Sequence, residues 1–358
     1  MATLTLHQVS KSFDKVQALK SVSFDCEEGE FVVIVGPSGA GKTTTLNCIA
    51  GVEYADEGSI YIDGEDVTLQ PPQERNVAMV FETYALYPQF SVYDNLAFPL
   101  RSPRHRLPKN EIEERVTHTA KLLSIDMLLH RLPRQLSQGQ RQRVSLGRAL
   151  VRKPDVFLFD EPISHLDAKL RNAMRRELKR IRSDLGQTTV YVTHDYLEAL
   201  SLADRAVVLF EGEVLQFDQV KQVYDQPAAV EVGHLFGDPP MMLFDGRITD
   251  EMRFLADGDG FELATGGTSS DLRVAQEVIL GLRPTDVTLM APEEGDVTGE
   301  VYSVQLKFDA KLVTVEAGGH LIDVVTPPEV TVVEGDEAGV GVPAEICYYF
   351  DRTTHKAL

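Results

Sequence analysis

Three runs along this chain are apolar without a break: FVVIV (Phe31–Val35), VFLF (Val156–Phe159) and the end of TTVYV (Thr188–Val192). Unbroken apolar runs of this length predict strands buried on both faces, as in a parallel sheet. At the N-terminus, TLTLHQV (Thr3–Val9) alternates polar and apolar residues, a strand pattern with period two. Two segments carry the helical period instead. NEIEERVTHTAKLLSI (Asn110–Ile125) sets Ile112, Val116, Ala120 and Leu123 on one face. Lys169–Leu185 does the same with Leu170, Met174, Leu178, Ile181 and Leu185, and meets Gly186 as a C-cap. Residues up to about 80 and from about 153 therefore predict alternating strands and helices around a parallel sheet, with a helix-rich insert at about 82–152. After QPAAVEVGHLFGDPPMM (Gln226–Met242) the pattern changes to short β-branched segments parted by Gly, Asp and Pro. Examples are EVILGLRPTDVTL (Glu277–Leu289), GEVYSVQLKF (Gly299–Phe308) and AKLVTVEAGGHLIDVV (Ala310–Val325). That tail predicts a small β-barrel.

Between the first buried strand and a short helix lies GPSGAGKTT (Gly36–Thr44), in which Gly36, Gly41, Lys42 and Thr43 fit G-x-x-x-x-G-K-[ST]. In the loop Gly36, Pro37, Ser38, Gly39, Ala40 and Gly41 the glycines let backbone N–H groups converge on phosphate oxygens, and the helix N-terminus at Lys42, Thr43 and Thr44 adds positive potential. Lys42 is expected to reach the β- and γ-phosphates, and the Thr43 hydroxyl to bind Mg²⁺. The second buried strand ends at Asp160 and Glu161. Asp160 is placed to hold Mg²⁺, and Glu161 to polarise an attacking water as general base. His194 lies just past the third strand, where open α/β sheets gather ligand groups, and is expected to sense the γ-phosphate.

LSQGQRQRVSLGRAL (Leu136–Leu150) adds a far more specific signal. Together with NVAMVFETYALYPQFSVYDNLAFPL (Asn76–Leu100), VFLFDEP (Val156–Pro162), SHLD (Ser164–Asp167) and YVTHD (Tyr191–Asp195), it makes the chain resemble the ATP-binding-cassette ATPases, those of sugar importers of the maltose type most of all. The resemblance covers residues 1–235. It implies a P-loop α/β ATPase domain over 1–235 with a helical subdomain at about 82–152. Residues 236–358, with GLRPTDV (Gly281–Val287), resemble the OB-like regulatory (TOBE-type) domain appended to such ATPases. What the resemblance implies for function is an ATP-hydrolysing subunit of a bacterial importer for a carbohydrate or polyol. Its ATP sits between the P-loop of one subunit and the signature Ser137, Gln138, Gly139 and Gln140 of another, with Asp167 at the dimer seam. Phe13, where tyrosine is usual, would stack on adenine. Tyr84, Ala85, Leu86 and Tyr87 would line a groove for a coupling helix from one of two transmembrane permease subunits. A periplasmic or extracellular solute-binding protein would act through those subunits, and the chain would sit peripherally on the cytoplasmic face of the inner membrane.

Three positions depart from the family pattern. Glu82 replaces a glutamine that helps hold Mg²⁺ and the attacking water, Gln138 replaces the first glycine of LSGGQ, and His165 stands at the seam. A carboxylate at 82 can still ligate the cation, or have its pKa raised by neighbouring charges. Two readings follow: a working homodimer, or one half of a heterodimer with unequal composite sites, in which this chain is largely a non-hydrolysing regulator. Importers of anions, metals or polyamines share the tail domain, so the solute stays open.

Composition narrows the rest. The net charge is −20, and residues 236–358 alone carry 23 acidic and 8 basic side chains. Such a surface disfavours nucleic acid and anionic lipid, and the expected coupling groove and tail barrel argue against a soluble cassette acting in DNA repair or translation. No apolar run reaches membrane-spanning length, and no signal peptide is expected. Cys26, Cys48 and Cys347 are too widely spaced for a metal or disulfide framework.

Overall fold

The alternating N-terminal stretch folds as a hairpin. In a computed structural model that describes residues 2–81, 83–102, 107–164, 166–258, 260–266, 272–307 and 309–358, the chain divides into two compact units, Met1–Lys221 and Gln222–Leu358. The first unit opens with β1 (Leu4–Phe13), β2 (Val16–Cys26), β3 (Phe31–Val35), α1 (Lys42–Ala50), β4 (Glu57–Ile62), β5 (Glu65–Asp66) and β6 (Val77–Val80). The helix-rich stretch α2 (Val92–Ala97), α3 (Lys109–Leu122) and α4 (Gln138–Leu150) follows. Then come β7 (Val156–Asp160), α5 (Ala168–Leu185), β8 (Thr189–Thr193), α6 (Tyr196–Leu202), β9 (Arg205–Phe210) and β10 (Glu213–Gln219).

These strands form two sheets. One is antiparallel, in the order β2-β1-β4-β5, which corrects the expectation of parallel strands throughout the first 80 residues. The cause is local: the two-residue connection at Asp14 and Lys15, with Asp14 at φ 51°, returns β2 directly onto β1. The other sheet runs β10-β9-β3-β8-β7-β6, parallel from β9 to β6, with β10 antiparallel at its edge. Every residue of β3, β7 and β8 is buried, as unbroken apolar runs require. Leu46 and Ile49 of α1 join Leu4, Leu6, Val32, Ile34, Leu158 and Val192 in one core shared by both sheets. At the far end of α1, Arg75 is only 2% exposed and donates to the carbonyls of Cys48, Ile49, Thr68 and Gln70. A cation there also opposes the negative end of the helix dipole.

Ile112, Val116, Ala120 and Leu123 are all buried, as their spacing predicts. Met174 and Leu178 of α5 are buried and Gly186 caps the helix in the left-handed region, while the side chains of Ile181 and Leu185 lie outside the described residues. Arg143 of α4 and Arg180 of α5 donate to the Leu123 and Leu122 carbonyls at the end of α3, tying three helices at one point.

The second unit starts earlier than the expected 236. α7 (Val220–Asp225) carries the chain across, and α8 (Val230–Leu235) belongs with the tail: the Val230 N–H donates to His355 O, and the Ala357 N–H to Ala228 O. The strands are β11 (Met242–Ile248), β12 (Arg253–Ala256), β13 (Glu262–Ala264), β14 (Glu277–Leu282), β15 (Thr288–Met290), β16 (Val297–Leu306), β17 (Lys311–Ala317), β18 (His320–Thr326), β19 (Glu337–Gly341) and β20 (Tyr348–Asp351). They pair as two five-stranded antiparallel sheets, β13-β12-β11-β14-β20 and β15-β19-β16-β17-β18, rather than one closed ladder. Phe244, Phe254 and Leu280 from one sheet and Val301, Val313 and Val340 from the other form a common core. Arg283, in the GLRPTDV run, is buried at 2% exposure. It donates to the carbonyls of Phe236 and Tyr224 and stacks 3.9 Å from the Tyr224 ring. The three cysteines are reduced and buried, and burial pushes Cys26 up to about 12 and Cys48 and Cys347 to about 11.

Replacing Arg283 by Leu removes its hydrogen bonds to one buried and one part-buried carbonyl, and the ring contact. We expect the second unit to lose about 3 kcal/mol of stability, read by urea denaturation through tyrosine fluorescence. An unchanged midpoint would contradict a structural role for this arginine.

Candidate active site

The parallel register brings the ends of β3, β7 and β8 level, with Val35 opposite Thr193 and Asp160 opposite Val192. The loop leaving β3 is held close to its neighbours. A Cβ on Gly36 would lie 2.1 Å from Leu209 O, and one on Gly41 2.5 Å from Ala18 O, and Gly41 has φ 103°. Only glycine fits either position. Pro37, Ser38 and Gly39 are exposed at the loop's tip, Ala40 packs inward, and Thr43 stands exposed in the first turn of α1, followed by half-buried Thr44.

Five of the expected residues converge here. Lys42 is 6% exposed, and its Nζ donates to Gly36 O and Pro37 O, both at 2.9 Å, and lies 3.7 Å from Glu161 Oε1. Burial pulls its pKa below the usual lysine range, against the opposing pull of Glu161 and Asp160. Thr43 Oγ1 donates to Asp160 Oδ1 at 3.0 Å. Glu161 Oε2 is 2.9 Å from His194 Nδ1. The Glu161 backbone sits in the left-handed region, φ 42°, where a non-glycine residue is strained; its N–H donates to Val192 O at 3.1 Å. A hydroxyl, two carboxylates, an ammonium and an imidazole on one sheet edge, beside a glycine loop and a helix N-terminus, suit a phosphate-bearing substrate and a hard cation.

The remaining expected residues lie apart from this cluster. Ser137 caps α4 and forms a capping box with Gln140: the Gln140 N–H donates to Ser137 Oγ at 3.3 Å, and the Ser137 N–H to Gln140 Oε1 at 3.0 Å. Gly139 abuts α5, where an added Cβ would lie 2.9 Å from a Leu170 methyl, and Gln138 is the first residue of α4. Asp167 caps α5 by accepting the Leu170 N–H at 2.9 Å. Phe13 ends β1 with 43% of its surface exposed and the Lys11 ammonium 5.4 Å from its ring centre. Glu82 and His165 lie outside the described residues.

A separate cavity of about 480 Å³ is walled by Val52, Phe81, Tyr87, Phe98, Pro99 and Arg148 among others. Of the four residues expected to line a groove, Tyr87 does. Tyr84 and Ala85, both at positive φ, turn their carbonyls to Ser145 and Arg148 of α4. Sequence reasoning also missed a polar cluster behind His194. Glu198, 2% exposed, accepts the Tyr191 hydroxyl at 2.7 Å, and Asp195 pairs with Arg171 and Arg175.

Residues 19–164 match the family model described as ABC transporter. The chain is 43% identical to the trehalose/maltose import ATP-binding protein of Thermococcus litoralis, over 100% of both chains. The chain belongs to the ABC transporter ATP-binding proteins. It is an ATPase, and it binds ATP. Other relatives are the xylose/arabinose import ATP-binding protein of Haloferax volcanii, 42% identical over 100% of this chain and 96% of that one, and the sn-glycerol-3-phosphate import ATP-binding protein of Paraburkholderia xenovorans, 41% identical over 98% of each. Among solved structures, a dimeric bacterial ABC transporter cassette superposes with a TM-score of 0.55 at 33% identity, covering 61% of this chain and 98% of its own. The cassette therefore has the P-loop ATPase fold, and no helix among the described residues is long and apolar enough to cross a membrane.

Burial raises the Glu198 carboxyl above its ordinary value of 4.5; Asp195 raises it further, while Tyr191, Thr193 and Arg175 oppose. The folded state thus keeps this proton to higher pH than the unfolded chain, and stability falls as pH rises from about 4.5 through the raised value. In Glu198→Gln that loss is absent, so its melting temperature should gain on the wild type as pH climbs through this window. Thermal scans across pH check this; a pH-independent difference would refute it.

Proposed function

We propose that this chain is the ATP-hydrolysing subunit of an importer for a carbohydrate or polyol. The observation that carries the reading is the meeting of Lys42, Thr43, Asp160, Glu161 and His194 on one sheet edge. The chain also aligns end to end with ATPases named for import of trehalose/maltose, xylose/arabinose and sn-glycerol-3-phosphate. In this reading the Gly36–Thr44 loop and Lys42 grip the phosphates of ATP, and Phe13 stacks on adenine. Thr43, Asp160 and Glu82 hold Mg²⁺, which would neutralise charge on the phosphates. Glu161 takes the proton of the attacking water, and His194 contacts the γ-phosphate. Ser137, Gln138, Gly139 and Gln140 complete the site of a second subunit, with Asp167 at the seam.

Two transmembrane permease subunits are the partners, met through the cavity at Tyr87, and a solute-binding protein acts through them. The chain then lies on the cytoplasmic face of the membrane, with the cassette over residues 1–221 and the two-sheeted tail as its OB-like regulatory domain. The unusual residues Glu82, Gln138 and His165 support a second reading, in which the other ATPase subunit is a different chain and the two composite sites are unequal.

Phosphate release by the purified transporter is the test. Glu161→Gln should cut turnover about a hundredfold or more while ATP still binds; retained turnover overturns the assignment of the base. Glu82→Gln should raise turnover of the assembled complex, since in this reading a carboxylate in place of the usual glutamine opposes approach of the γ-phosphate. An unchanged rate would remove Glu82 from the mechanism.

A further inference from the structure

Arg171, on the first turn of α5, touches two loops at once. Its Nη2 donates to the carbonyls of Ser164 and Leu166, each at 3.2 Å, and its Nη1 lies 3.8 Å from Asp195 Oδ2. Arg175, one turn on, reaches the same oxygen at 3.6 Å. Each loop leads to a reacting group. Ser164 is tied to the backbone of Glu161, donating to Glu161 O through both its N–H, at 3.3 Å, and its hydroxyl, at 3.0 Å. Asp195 directly follows His194 and fixes the turn from β8 into α6. Its Oδ1 accepts the Leu197 N–H at 2.8 Å, and its own N–H donates to Thr193 Oγ1 at 3.0 Å.

We infer that Arg171 is a positioning residue for hydrolysis, clamping the Glu161 loop to the His194 turn and so holding the two side chains at their 2.9 Å contact. A guanidinium suits this because its planar fork directs N–H groups to two sides at once, which an ammonium cannot do at fixed geometry. The arrangement has a cost: the Nε atoms of Arg171 and Arg175 are buried without acceptors. The inference rests on the roles of Glu161 and His194 proposed above.

The test uses the assembled transporter with Arg171→Gln, Arg171→Lys, Asp195→Asn and the Gln/Asn double variant. Arg171→Gln should lower kcat about tenfold or more, with KM for ATP within about twofold. The double variant should be no slower than Arg171→Gln alone, because both changes cut the same link. Arg171→Lys should recover only part of the loss, and it carries the test together with Asp195→Asn if the glutamine variant fails to fold. In the nucleotide-free protein, the imidazole NMR signal of His194, identified by its loss in His194→Gln, should move in each variant. Unchanged kcat, multiplicative losses or a stationary His194 signal overturn the inference. If Glu161→Gln and His194→Gln keep full turnover, the underlying reading falls instead; if they lose it while Arg171→Gln and Asp195→Asn do not, only the clamp falls.

Discussion

Backbone register between β3, β7 and β8 is the constraint on which the active site depends. These strands are buried on both faces, so no alternation of polar and apolar side chains fixes their relative slide. Their termini fix it instead. A slip by one residue would move a strand end by about 3.3 Å, enough to part Thr43 from Asp160 and His194 from Glu161, whose contacts are 3.0 and 2.9 Å. The sheet thus acts as a ruler for groups that arrive from distant parts of the chain.

That dependence also explains what the sequence could and could not tell. Gly36, Gly41, Lys42 and Thr43 carry their chemistry in local spacing, and the apolar runs beside them mark buried strands, so the core of the site was legible. The faces of α3 and α5 were legible for the same reason, since Val116 and Met174 repeat with their neighbours at helical spacing. The return of β2 onto β1 turns on the conformation of Asp14, which many sequences could supply. The position where the units divide depends on Val230 and Ala357 bonding to partners over a hundred residues away, or at the other end of the tail. Arg171 looks like any surface cation on an amphipathic helix until the fold places Ser164 and Asp195 on either side of it.

Buried charge is handled alike in both units. Arg75 and Arg283 each sit at 2% exposure and direct their hydrogen bonds to main-chain carbonyls. An arginine can satisfy several carbonyls at once and stays charged at any working pH, so it staples irregular chain without adding a titrating group. Around the candidate active site the buried groups differ in kind: Lys42 and Glu198 are titratable, and burial shifts each toward its neutral form.

The three thiols have a practical consequence for anyone who wants to watch this ATPase move. All are buried, with ionisation pushed up to about 11 or 12, so little reactive thiolate exists at neutral pH. The native chain is thus a nearly silent background for maleimide chemistry. A cysteine introduced at an exposed position such as Tyr302 can carry a spin label or fluorophore without first stripping the natural ones.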